Sequence, residues 1–224
     1  MPVTVAVVDS GVHVPHPHLP SVAGGVAIDL EGRESGDYVD TLGHGTAAAA
    51  AIHEKAPHAE LWAVKVFDRQ LATSVACLVQ AIEWAVEREL RLVNLSLGTP
   101  NDFRKLELAP AVEAAVAAGT LIVSAAEHDG HLWYPGSMPG VVGVVMDVDE
   151  PREGVTVGEG PRGPVLRASP YPRPIPGVPP ERNFNGISFA VANATGIIAR
   201  LLDERPEIRG AGDVLAALID ADGA

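Results

Sequence analysis

This sequence predicts an α/β fold, with a mainly parallel central sheet and helices on both faces, and three observations carry the prediction. Apolar stretches of strand length recur along the chain, longer stretches with helical periodicity alternate with them, and the 224 residues are 47% hydrophobic. Such alternation favours parallel strands joined by helical crossovers. The length and apolar content suit one large core, so residues 1–224 are read as a single domain with no room for a second.

The first strand is expected at residues 3–8, an apolar run with Asp9 at its end. A helix over 44–52 runs through the alanines at 47–51. A strand at 60–67 contains Leu61-Trp-Ala-Val-Lys-Val66 and precedes a helix over 74–89. A strand at 91–96, a helix over 106–118 and strands at 120–125 and 141–146 continue the alternation. Residues 151–182 are rich in Pro and Gly with little periodicity, which predicts surface loops and one hairpin around 154–167. Helices over 188–203 and 212–221 close the chain. Ligands of open parallel sheets bind beyond the carboxyl ends of the strands. Asp9 falls there, and His44 and Ser188, both at predicted helix starts, are placed to converge on the same rim.

Charge and composition narrow the partners. A net charge of −13 with no Lys/Arg cluster argues against nucleic acid or an anionic membrane surface, both of which demand a basic face. No apolar run approaches the roughly 18 residues that a membrane span needs. Met1-Pro-Val-Thr4 leads into the first strand without a basic segment or cleavage site, so a cytoplasmic chain is expected. Cys77 is the only cysteine, which excludes an internal disulfide, fits a reducing compartment and reads as a small buried group on a helix. No cofactor or metal is expected: His13, His16 and His18 are interrupted by Pro15, Pro17 and Pro20, with no carboxylate among them.

Three separated blocks carry chemistry: Val5-Ala-Val-Val-Asp9-Ser-Gly11, Gly43-His44-Gly-Thr46 and Asn185-Gly-Ile-Ser188-Phe-Ala190. A serine hydroxyl is a poor nucleophile unless an imidazole takes its proton as it attacks. His44 is the candidate base and Ser188 the nucleophile. Asp9 suits the third role, an acceptor that fixes the imidazole tautomer and stabilises the imidazolium. Each residue alone has a duller reading, as a turn acid or a helix cap. It is their joint occurrence in these blocks that implies a serine hydrolase.

Over nearly its whole length the chain resembles the subtilisin-like serine proteases of the subtilase family. Beyond the three blocks, the similarity includes Val93-Asn-Leu-Ser-Leu-Gly98, Ile82-Glu-Trp-Ala85 and Tyr134-Pro-Gly136. The resemblance implies a single-domain, three-layer subtilisin-like fold and hydrolysis of a peptide or protein substrate. It also implies that an extended peptide adds as a strand between Ser96-Leu97-Gly98 and residues 69–74. The pocket for the residue before the cut would have Ser96, Leu97, Gly98, Ala125 and Ala126 as walls and Trp133 at its floor.

Departures from the family pattern bear on activity. His128 takes the place of the usual oxyanion-hole Asn, and is expected to donate to the oxyanion in its stead. Ile187 replaces the usual hydroxyl residue before the nucleophile, and Ala192-Asn193 replaces the usual Pro-His after it. Trp133 replaces a small residue, and either fills the pocket or turns outward. No insertion for the family's tight calcium site follows His44. No prosegment precedes the first strand, so the chain is expected to fold unaided or with a partner polypeptide. The expected role is restricted cytoplasmic processing of a small precursor or leader peptide. Two alternatives stay open: a catalytically impaired peptide-binding pseudoprotease, and a peptide ligase or macrocyclase in which an amine intercepts the acyl-enzyme.

Overall fold

A computed structural model describes residues 1–222. Eleven strands and five helices are β1 Thr4–Asp9, β2 Gly24–Ile28, β3 Glu34–Ser35, α1 His44–Lys55, β4 Glu60–Lys65, α2 Val75–Glu87, β5 Leu92–Leu95, α3 Lys105–Ala118, β6 Leu121–Ala125, β7 Glu127–His128, β8 His131–Leu132, β9 Val142–Met146, β10 Val155–Gly160, β11 Gly163–Ala168, α4 Ile187–Glu204 and α5 Ala211–Asp222. The main sheet has the order β10-β11-β9-β6-β5-β1-β4-β2-β3. Its seven inner strands are parallel, and an antiparallel strand closes each edge.

β1 shows why the sheet is covered on both faces. Its side chains alternate between two wholly buried clusters. Val5 and Val7 join α1, α4 and α5 on one face, while Ala6 and Val8 join α2 and α3 on the other. The result is the expected three-layer α/β architecture, and each element anticipated above is present within two residues of its expected ends, except that α1 runs three residues past 52, to Lys55. Ser74 caps α2 by accepting the Cys77 N–H at 3.2 Å, and Cys77 is buried. No helix of the described residues is long and apolar enough to cross a membrane.

Two pairs of strands, β2–β3 and β7–β8, lie outside the elements expected from the sequence. The strand β2, between β4 and the edge strand β3, opens on Gly24-Gly25, residues of low strand propensity. A Cβ at Gly25 would stand 2.4 Å from the Ala63 carbonyl oxygen, so the pairing with β4 requires the same residue that masks it. The miniature hairpin β7–β8 turns at Asp129-Gly130, both with positive φ (51° and 74°), the Asp-Gly chemistry of a tight two-residue turn.

Candidate active site

The carboxyl ends of β1, β5 and β6 lie side by side, since Val8 pairs with Leu95 and Leu95 with Ser124. Asp9, Ser96 and Ala125-Ala126 are therefore brought to one rim. Asp9 is wholly buried, and its Oδ1 accepts the Ser10 N–H and the His44 Nδ1–H, each at 2.7 Å. Because a carboxylate only accepts, this contact puts the neutral imidazole's proton on Nδ1 and leaves Nε2 as the basic nitrogen.

His44 reaches Asp9 because α1 descends close to the β1 turn. A Cβ at Gly45 would meet the Gly11 carbonyl oxygen at 2.2 Å, so glycine is required there. Asp40 holds the approach. Its Oδ1 accepts from Ser10 Oγ, Leu42 N and Gly43 N at 2.8–2.9 Å, and its Oδ2 accepts from Thr46 N and Oγ1 at 2.9 and 2.6 Å. Sequence reasoning passed over Asp40; its signal was an acid a few residues ahead of a helix start that carries a Thr in its first turn. Burial opposes the charge on His44, but the Asp9 hydrogen bond and the charges of Asp9 and Asp40 outweigh it, so its pKa is raised above the ordinary 6.5.

Ser188 is the second residue of α4. Its Oγ donates to the Ser96 carbonyl at 3.0 Å, and Ser96 Oγ reaches the Ser188 carbonyl at 3.3 Å. Behind them Asn94 Nδ2 donates to Ser96 Oγ at 2.8 Å, and Thr195 Oγ1 donates to Asn94 Oδ1 at 2.9 Å. This buried polar chain pins α4 to β5 beside Asp9. The ring of Phe189, adjacent to Ser188, lies 4.9 Å from the His44 ring, and Phe184 approaches it at 5.9 Å. The structure thus joins Asp9 to His44 directly and sets Ser188 on the same rim, with its hydroxyl held by Ser96 rather than by the imidazole.

The sequence-derived pocket residues also gather there. Ser96, Leu97 and Gly98 follow β5, and Ala125 ends β6 with Ala126 next. Trp133 N–H donates to the Ala126 carbonyl at 3.0 Å, while Thr99 and Tyr134 exchange two backbone hydrogen bonds at 2.9 Å. A Cβ on Gly98 would stand 3.3 Å from Trp133 Cε3, so the half-buried indole lies between the two walls. His128 meets that indole edge to face at 5.9 Å, with Nε2 3.5 Å from Asp129 Oδ2. No hydrogen bond joins His128 to Ser188 among the described residues. Ile187 packs against the core shared by α1 and α4. Residues 69–74 form an irregular segment rather than a strand. Among the described residues no three His, Cys, Asp or Glu side chains cluster in a way that could hold a metal ion.

Comparison with known proteins places the chain among its relatives. The subtilase family model matches residues 2–154, which include Asp9 and His44. A thermostable alkaline protease of Halalkalibacterium halodurans is 35% identical over 204 residues, covering 86% of this chain and 52% of the relative. Subtilisin NAT of Bacillus subtilis subsp. natto is 30% identical over 229 residues, covering 91% and 56%. The chain therefore spans about half the length of these relatives. Among solved structures, a cold-adapted subtilisin-like serine proteinase superposes with a TM-score of 0.70 at 19% identity, covering 96% of this chain and 80% of that one. The prenylagaramide maturation protease PagA superposes with a TM-score of 0.67 at 24% identity, covering 93% and 79%. At these identities the superpositions establish the fold, and the family match over residues 2–154 establishes descent: the chain belongs to the subtilase family of serine proteases.

Proposed function

We propose that this chain is a serine endopeptidase in which Ser188 attacks the peptide carbonyl, His44 takes the hydroxyl proton and Asp9 orients His44. The observation that carries this reading is the 2.7 Å Asp9–His44 hydrogen bond at the rim that holds Ser188. An extended peptide added beside Ser96-Leu97-Gly98 donates its own backbone N–H groups to that segment. Competition for the Ser96 carbonyl then frees Ser188 Oγ to turn toward His44 Nε2. The tetrahedral oxyanion is met by the Ser188 N–H, which lies in the first turn of α4 and has no intrahelical acceptor.

His128 is the proposed second donor, because it follows the Ala125-Ala126 wall and its ring borders the pocket at Trp133. One such donor is worth about 10²–10³ in kcat. His128→Ala is expected to lower kcat by about that factor with KM nearly constant, because the contact forms in the transition state. An unchanged kcat removes His128 from the oxyanion hole.

The raised pKa of His44 predicts the pH profile. Only the neutral imidazole accepts the serine proton, so kcat/KM rises as pH increases through the His44 pKa. The acid limb is accordingly expected to inflect above pH 6.5. Asp9→Asn removes the hydrogen bond and the charge of Asp9 that raise the pKa and leaves burial, the largest cause, opposed only by the Asp40 charge, so the residual activity should inflect at lower pH. A limb below pH 6.5 in the wild type contradicts the assignment of His44.

The physiological role we infer is cytoplasmic processing of a small precursor or leader peptide. The structural likeness to PagA, a maturation protease, supports this reading, and the lone Cys77 fits a reducing compartment. The test is mass spectrometry of short precursor peptides after incubation. One cut yielding two fragments whose masses sum to the peptide plus one water supports restricted hydrolysis. A ligated or cyclic product, or no cut in any precursor, overturns it.

A further inference from the structure

A second cleft opens beside His44, and none of Ser96, Leu97, Gly98, Ala125, Ala126 or Trp133 lines it. It has a volume of about 370 Å³, and its lining includes His16, His18, Gly43, Arg173, Ile175 and Phe184. Gly43 precedes His44, and the Phe184 ring touches the His44 ring, so the cleft adjoins the reacting groups directly. A peptide whose acyl side lies along Ser96-Leu97-Gly98 continues past Ser188 and His44, and this cleft borders His44 without sharing the acyl-side wall. We propose that the cleft receives the substrate residues on the leaving-group side of the cut and selects a carboxylate among them. This rests on the endopeptidase reading above.

The chemistry of the lining favours an anion although the chain carries a net charge of −13. Arg173 Nη1 donates to the His18 carbonyl at 3.1 Å, and Nε stands 3.8 Å from Glu54 Oε1. Glu54 does not neutralise it alone, because Lys55 Nζ at 3.2 Å and Arg152 Nη2 share the same carboxylate. Glu153 lies 3.6 Å from Arg152 but is 78% exposed and screened by water. Arg173 Nη2 has no partner among the described residues, so half of its planar fork remains open for a carboxylate. His16 Nδ1 accepts the His18 N–H at 3.2 Å, which leaves Nε2 to carry a proton and donate. The acid of the cleft, Asp40, is 7% exposed, and its two oxygens already take five donors. Ile175 and Phe184, each 44% exposed, supply an apolar rim for the neighbouring side chain.

The test compares kcat/KM for peptides with one fixed acyl side and Glu, Gln or Lys at each position after the cut. Each is made as free acid and as C-terminal amide, because a side chain or a chain terminus can supply the carboxylate. Glu over Gln at one position, or free acid over amide, should be preferred about tenfold, the size of one partly exposed charge-assisted hydrogen bond. In Arg173→Gln the ratio should fall to about one, and in Arg173→Lys part of it should return. Ratios taken within one preparation are insensitive to loss of folded enzyme. No carboxylate preference in the wild type, or one that survives Arg173→Gln, overturns the proposal. Fluorescence anisotropy of the same peptides on Ser188→Ala separates the two readings. Tighter binding of the carboxylate peptide with no cleavage by the wild type keeps the cleft and removes the endopeptidase; cleavage with equal binding does the reverse.

Discussion

Ser188→Ala is expected to lower kcat by at least about 10⁴-fold, the scale on which a triad works as a unit, while peptide binding stays within a few-fold. The substitution removes the nucleophile and the one hydrogen bond that its hydroxyl donates to the Ser96 carbonyl. A neutral hydrogen bond contributes only about 0.5–1.5 kcal/mol net. Phe189 beside it stays buried at 1% exposure, so α4 keeps its seat on β5. A fluorophosphonate probe, which reacts with an activated serine, should label the wild type and spare the variant. Equal labelling of both would mean that the reactive serine is elsewhere. No labelling of either, together with tight binding of uncut peptide, would select the pseudoprotease reading, for which Ser188 held on Ser96 is the ground state rather than a resting pose.

The second large effect concerns the residue before the cut. With the Trp133 indole packed against Gly98 between the two pocket walls, the wild type should prefer Ala, Gly or Ser there. Trp133→Gly should reopen the floor and shift the preference to large aromatic or aliphatic residues. The competing effect is charge, since Glu127 and Asp129 flank His128 and would favour Lys or Arg. Overpacking a rigid site costs about 1–3 kcal/mol, whereas a screened ion pair returns about 0–1. Asp129 is 81% exposed at its side chain, which puts its contribution at the low end. Steric exclusion therefore decides the wild-type profile, by roughly 5- to 150-fold at about 1.4 kcal/mol per tenfold. Profiling both proteins on one peptide library measures the shift, and an unaltered profile refutes a pocket filled by Trp133.

Local signals were strong where the chain repeats a period. The unbroken apolar run of β1 and the alanines of α1 declared a doubly covered sheet and its helices, because each pattern is written in consecutive residues. Asp9, His44 and Ser188 stood out for the same reason, each inside a short block of recognisable chemistry. β2 was hidden because Gly24 and Gly25, needed for its close approach to Trp62 and Ala63, are poor strand formers.

The sequence by itself determined the α/β class, the order of the longer elements, the family and the three residues offered for catalysis. Only the tertiary structure decided what those residues touch. It set Ser188 Oγ on the Ser96 carbonyl, 92 residues away, and tied Thr195 to Asn94 across 101 residues. It laid Trp133 against Gly98 and carried Arg173 to His18 across 155 residues. Such contacts arise when helices and strands pack, and no periodicity along the chain encodes which distant polar groups will meet when their elements close over a shared core.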